Sequence, residues 1–224
     1  GQESLFLTLV LHFATALSTM VVFKNEIREI LKGLLDFEMN DHTQFSIKII
    51  ISMIPAILVG LFFQNQIEAL FSKNLVLVGV MLLFTAMILF LADLASDTQK
   101  KVTFSNAFVL GIVQAIAILP GISRSGSTIA SAVLLGIDRQ KATRFSFLMV
   151  LPLIFGSMAK TIIDLEGTPQ NSNITILAIG FISAFISGII ACKWMITIVK
   201  KSQLRYFSYY CIFVGLITLI YGLF

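Results

Sequence analysis

Leu119-Pro120-Gly121-Ile122-Ser123-Arg124-Ser125-Gly126-Ser127-Thr128 interrupts an apolar region that runs from residue 104 to residue 136. The region is too long for one helical crossing of ~30 Å of hydrocarbon, which takes about 20 residues. Pro120 and Gly121 also break it where a helix would lose a hydrogen bond and gain conformational freedom. The two arms, 104–119 and 124–136, each reach only ~20–24 Å at about 1.5 Å per residue, short of a full crossing. A re-entrant helical hairpin over 104–136 is the consistent reading. Its break carries Ser123, Ser125, Ser127, Thr128 and Arg124. An arginine at membrane depth costs at least ~2.5 kcal/mol on insertion scales and sits where a bundle interior or an aqueous cavity supplies a partner. Hydroxyls, a guanidinium and free backbone amides together suit an anion with several oxygens.

Composition names the solvent. Of 224 residues 57% are hydrophobic and only 12% charged, against about 25% charged in soluble domains, and the mean hydropathy is +0.94. The chain therefore reads as an all-α integral membrane protein. A formal net charge of +4 would favour nucleic-acid binding in a soluble domain. Here the basic residues fall mostly in short loops between greasy spans, so they read as topology signals and no nucleic-acid partner is expected. Cys192 and Cys211 both lie inside apolar runs, which argues for packing and against a disulfide framework or a thiolate metal site.

About six spans are expected, at 4–23, 45–64, 74–95, 143–163, 173–195 and 204–224, in addition to the hairpin. The first apolar run is long enough to span, which argues against a cleavable signal peptide. Loop charge tests the hairpin independently. If it enters and leaves on one side, that side receives Lys24, Arg28, Lys32, Lys100, Lys101, Arg139, Lys141, Arg144, Lys200, Lys201 and Arg205, and the other receives Lys73 and Lys160. The positive-inside rule then holds throughout, with the hairpin mouth at the cytoplasmic face.

The chain is read as one membrane domain, 1–224, made of two repeats. Residues 99–224 comprise the hairpin and three spans; residues 1–98 comprise three spans. Three is odd, so a second copy would insert upside down, the inverted-repeat arrangement of many transport folds. A first hairpin, entering from the opposite face to meet the visible one, is expected to be missing before Gly1.

At the break, Ser123 or Ser125 can cap the second arm, whose unpaired amides and positive dipole end favour an anion. Arg124 adds a planar fork that binds phosphate in bidentate fashion. Thr128 lies on the same face as Ser125 and can donate a further hydrogen bond. Gly121 and Ile122 bring main chain to the site, and Gln114, one to two turns before the break, either faces it or bonds across helices. Such groups could hold a diphosphate and stabilise charge developing on its oxygens. Gly126, Ser127 and Ser131 are assigned to helix packing. His12 is assigned to hydrogen-bonded packing, Asp93 to a solvent-accessible helix end, and the acidic residues from Glu26 to Asp41 to a solvated loop. Asn173-Ile174-Thr175 matches a glycosylation sequon too short to carry weight.

The run from Pro120 to Thr128 resembles the PGxSRSxxT signature of the bacterial undecaprenyl-diphosphate phosphatases, also called bacitracin-resistance proteins. The likeness extends to Gly111-Ile112-Val113-Gln114, to Arg144-Phe145-Ser146-Phe147-Leu148 with Pro152, and to Ile54-Pro55-Ala56-Ile57-Leu58-Val59-Gly60, so it covers essentially the whole chain. The resemblance implies a multi-pass enzyme of the bacterial inner membrane. It would hydrolyse undecaprenyl diphosphate to the monophosphate and inorganic phosphate, recycling the lipid carrier for cell-wall synthesis and conferring bacitracin resistance. It implies that Arg124 clamps the diphosphate, that Ser123, Ser125 and Thr128 line the site, and that a divalent cation, magnesium or calcium, assists. A homodimer is compatible with the sequence.

One departure qualifies the likeness. Family members carry an N-terminal glutamate-rich motif, ExxxE followed by a proline, serines and a histidine, and this chain has no such segment. Glu3 and His12 do not inherit its role, and in the visible hairpin Gln114 and Ile118 stand where the two glutamates would be. The metal ligands are therefore unknown, and the chain as given is expected to be inactive or nearly so. Whether a hydroxyl or an activated water attacks phosphorus stays open. A transporter or flippase of polyprenyl-phosphate lipid is the alternative from another class, since fold alone does not fix function.

Overall fold

A computed structural model describes residues 2–36, 38–71, 75–164 and 174–223. Every element among them is a helix: α1 Gln2–Val22, α2 Lys24–Leu35, α3 Asp41–Phe62, α4 Gln64–Phe71, α5 Leu75–Leu94, α6 Phe104–Ile116, α7 Arg124–Leu134, α8 Arg139–Asp164, α9 Ile174–Lys200 and α10 Arg205–Leu223. The all-α polytopic class expected from composition is the observed one. Five helices, α3, α5, α8, α9 and α10, are long and apolar enough to cross a bilayer, and α1 with α2, bent by 80°, makes a sixth candidate. The sequon lies partly outside the described residues.

α6 and α7 form the expected hairpin, with arms shorter than the sequence suggested. Their 13 and 11 residues extend ~20 and ~17 Å, too little for ~30 Å of hydrocarbon. Thr103 starts α6 by accepting a hydrogen bond from the amide of Asn106 at 3.1 Å. Residues 117–123 turn the chain, and α7 packs on both α6 and α5.

Two helices appear where loops were expected. The segment from Glu26 to Asp41, assigned to a solvated loop, is largely α2. The reason is legible afterwards: Ile27, Ile30, Leu31 and Leu34 repeat at helical spacing, giving an apolar stripe beside Lys24, Arg28 and Lys32. Such a helix suits the membrane interface. Leu31 and Leu35 on it are exposed. Asn40 then closes a tight turn, its Nδ2 donating to the carbonyl of Gly33 at 2.7 Å and its Oδ1 accepting from the amides of His42 and Thr43, both at 2.9 Å. The second unexpected helix is α4, directly after α3.

By packing, the chain groups into two compact units, residues 1–44 with 147–197 and residues 45–146 with 198–224. The repeat division at residues 98 and 99 concerns sequence symmetry, and the packing units do not coincide with it. In the first unit the hydroxyl of Thr19 on α1 meets the sulfur of Cys192 on α9 at 3.8 Å. In the second, α10 lies along α5. A Cβ on Gly215 would sit 3.2 Å from the carbonyl oxygen of Gly79, the close backbone approach that small residues permit between membrane helices. Ser208 on α10 adds a hydrogen bond to the carbonyl of Ala86 at 2.7 Å. Both cysteines are buried and free, as a packing role requires. Asp93, assigned to a solvent-accessible helix end, has a definite partner: its Oδ1 accepts from the amide of Arg205 at 3.1 Å and so caps the first turn of α10.

Candidate functional site: the hairpin tip

The turn that joins the two arms is held against α5. Gly121 has φ +92°, and a Cβ at that position would lie 2.5 Å from the carbonyl oxygen of Val78. Both the left-handed backbone and the close approach require glycine. Ile122 then donates its amide to the carbonyl of Leu119 at 3.3 Å, closing the turn after Pro120. Two residues beyond Gly121, the amide of Ser123 donates to Thr85 Oγ1 at 3.3 Å, and that hydroxyl donates to the carbonyl of Met81 at 3.0 Å. Thr85 is fully buried. Its role was not anticipated, although it is the single hydroxyl residue in α5, and a lone hydroxyl in so apolar a span is the signal that could have found it.

Ser123, not Ser125, caps α7. Its backbone is extended (φ −73°, ψ 108°) and its Oγ accepts from the amide of Gly126 at 3.2 Å. Gly126 leaves room for that bond, because a Cβ there would fall 2.8 Å from Ser123 Oγ. The amide of Ser127 reaches the carbonyl of Ser123 at 2.8 Å. The amides of Arg124 and Ser125 remain, and neither has a hydrogen-bond partner among the described residues. The Ser125 hydroxyl and the Arg124 guanidinium are likewise without one. Two amides, one hydroxyl and one guanidinium without partners thus belong to the first turn of α7, where the helix dipole already favours negative charge.

Thr128 stands one turn further in, almost completely buried. Its hydroxyl donates to the carbonyls of Arg124 at 2.9 Å and Ser125 at 3.3 Å, so its proton braces the backbone that carries those two residues. Gln114 on α6 is 1% exposed, and neither its Nε2 nor its Oε1 finds a partner among the described residues. Ser127 Oγ is also buried without a partner. Gly121 and Ile122 belong to the turn and present main chain.

The arginine of the break was expected where a bundle interior or an aqueous cavity could supply a partner, and the chain itself leaves its side chain uncovered. Arg124 is exposed at the hairpin tip. The buried arginine of this unit is Arg139, one of the charges that the positive-inside rule places on the cytoplasmic side. It is 6% exposed and donates to Asp97 Oδ1 at 2.7 Å and to the carbonyls of Ala92, Asp93 and Ala95 at 3.2, 3.3 and 2.8 Å. These carbonyls lie where α5 ends and helical donors run out; the Ala92 carbonyl also accepts from the amide of Ala95 at 3.3 Å, and the guanidinium caps all three.

The donor set at the tip suits an anion, and a divalent cation needs the opposite chemistry, a cluster of oxygen ligands. Among the described residues no three His, Cys, Asp or Glu side chains come together. No ligand set for a divalent cation is therefore assigned among the described residues.

Residues 1–217 match the sequence profile of the family described as "Bacitracin resistance protein BacA". Among curated proteins, the chain is 59% identical over 221 residues to an undecaprenyl-diphosphatase of Christiangramia forsetii, covering 99% of this chain and 84% of that protein. It is 47% identical over 224 residues to the protein of that name in Bacteroides fragilis, covering 98% and 84%. It is 38% identical over 218 residues to the one in Methanococcus vannielii, covering 94% and 83%.

Proposed function

This chain belongs to the bacitracin resistance protein BacA family, and we propose that the first turn of α7 binds the diphosphate of a polyprenyl diphosphate during its hydrolysis. The activity is that of an undecaprenyl-diphosphatase: undecaprenyl diphosphate and water give undecaprenyl phosphate and inorganic phosphate. The protein is multi-pass and meets its lipid substrate in the membrane, which for this proposal is the bacterial plasma membrane.

One observation supports the site assignment, a first helical turn whose donors have no partner among the described residues: the Arg124 guanidinium, the Ser125 hydroxyl and the amides of Arg124 and Ser125. The fork of Arg124 grips two phosphate oxygens at once. The amides, fixed by the Ser123 cap and by Thr85, stabilise the added charge as the bridging bond breaks, without reorganising. Thr128 and Ser123 act through this scaffold. Gln114 brings an amide whose desolvation a phosphate oxygen would repay. Magnesium or calcium stays in the proposal as a charge-neutralising companion of the diphosphate.

The test is phosphate release from undecaprenyl diphosphate by the full-length protein in proteoliposomes, with and without chelator. Release of inorganic phosphate that chelation abolishes is the expected result. Movement of the lipid between leaflets with no phosphate released would replace hydrolysis by transport.

A further inference from the structure

Beside the hairpin tip lies a cavity of about 500 Å³, within the ~300–1,000 Å³ typical of small-ligand sites. α3 contributes Pro55 and Leu58 to its wall, α4 contributes Ile67 and Leu70, and the end of the first hairpin arm contributes Ile116 and Leu119. Gln66 is the one polar residue in the lining. Nothing there can satisfy a phosphate; the wall suits hydrocarbon.

The position of the cavity says which hydrocarbon. Leu119 precedes Ser123 by four residues, so the cavity and the cap of α7 are separated by at most ~14 Å of extended chain. The same short turn therefore carries apolar wall at Leu119 and phosphate donors from Ser123 to Ser125. α4, directly following α3, walls one side of this cavity. Leu58 and Ile116 are each 48% exposed, so chain packing leaves the wall uncovered.

We propose that this cavity holds the isoprene units nearest the diphosphate of the polyprenyl substrate, with the remainder of the tail in the bilayer. The assignment rests on the proposed function. It makes α4 a specificity element: recognition of the lipid is shared between a polar tip that reads the diphosphate and an apolar cleft that reads the first stretch of tail.

The probe is undecaprenyl monophosphate bearing a diazirine on the isoprene unit next to the phosphate, bound to the full-length protein in proteoliposomes. Photolabelling within residues 55–70 and 112–119, displaced by undecaprenyl diphosphate and not by a diacyl phosphatidate, is the expected result. Labelling elsewhere, or equal displacement by phosphatidate, overturns the proposal and leaves an ordinary lipid-filled crevice. Leu58→Trp and Ile116→Trp fill the cleft and should raise KM for undecaprenyl diphosphate roughly tenfold with kcat nearly unchanged, as loss of uniform apolar binding does. The inhibition constant of inorganic diphosphate, which has no tail, should not move. Phe108→Trp, on exposed α6 surface outside the cavity, is the control. If wild-type protein releases no phosphate from any polyprenyl diphosphate, the proposed function falls; if it does, but labelling and KM ignore the cleft, only the tail site falls.

Discussion

Arg139 Nε donates to Asp97 Oδ1 at 2.7 Å across 42 residues of sequence, and the two partners sit in very different surroundings, the arginine side chain 7% exposed and the aspartate 77%. The ion pair is half in water and contributes at most about 1 kcal/mol. The larger share of this guanidinium's effect lies in the three carbonyls it caps at the end of α5, since hydrogen bonds to a charged group are worth about 1.5–3 kcal/mol each. Arg139→Ala should therefore destabilise the protein by about 2–4 kcal/mol, whereas Asp97→Asn should cost under about 1 kcal/mol. Arg139→Lys should rescue little, because the donors of an ammonium all radiate from one nitrogen and cannot span acceptors that the guanidinium reaches from three. Thermal unfolding in detergent checks the ranking; equal losses for Arg139→Ala and Asp97→Asn would locate the effect in the ion pair.

Arg124→Ala in the full-length enzyme should reduce kcat/KM by a factor of about 10²–10³, the usual cost of removing a preorganised donor from developing charge. Ser127→Ala should leave it within a few-fold, because Ser127 Oγ is buried away from the exposed tip. Arg124→Lys should fall between wild type and alanine. Steady-state phosphate release measures all three, and similar losses for Arg124→Ala and Ser127→Ala would remove Arg124 from its assigned role.

Gln114 offers a case in which stability and activity should move in opposite directions. Its amide is buried with no partner among the described residues, a situation that costs about 1–3 kcal/mol. Gln114→Leu should hold or raise the unfolding temperature while lowering phosphate release at least ~10-fold, the loss expected when a substrate-facing amide is deleted. A fall in unfolding temperature with unchanged activity would show that the amide serves the fold instead.

Two glycines with positive φ should respond differently to alanine. At Gly121 the new Cβ meets backbone, the Val78 carbonyl oxygen at 2.5 Å; at Gly136, with φ +78°, the nearest atoms belong to the Lys100 side chain, 3.9 Å or more away. Gly136→Ala should pay only the left-handed backbone cost, ~1–2 kcal/mol. Gly121→Ala should pay that and a clash besides, ~3 kcal/mol or more in total, and displace the tip from α5. Unfolding temperatures of the two variants decide this, with equal shifts counting against the close packing of tip and α5.

Thr85→Val removes the acceptor of the Ser123 amide at nearly constant volume and should cost about 1–2 kcal/mol, with activity falling because the cap of α7 loosens. Thr85→Ser, which restores the hydroxyl, should recover both. Recovery of stability without activity would separate the support of the tip from its chemistry.

Residue type, run length and spacing alone make the solvent, the helical class and the hairpin legible, and they suggest an anion at its break. Each of these follows from local rules: apolar run length against membrane thickness, the missing donor of Pro120, the freedom of Gly121, the capping oxygen of Ser123. α2 was legible in the same terms, in the spacing of Ile27, Ile30, Leu31 and Leu34, once charge was not taken to mean loop. Which arginine is buried follows from contacts between segments distant along the chain. Arg124 stands in the hairpin break and Arg139 among the loop charges, and neither local context says which side chain the fold covers. The difference arises because α5 ends its carbonyls beside Arg139, 44 to 47 residues away along the chain, while the hairpin turn leaves Arg124 at an exposed tip. Thr85 under Ser123 and the cleft among α3, α4 and α6 belong to the same class. They depend on segments distant in sequence meeting in space, and no local periodicity records where an unpaired backbone group will find its partner.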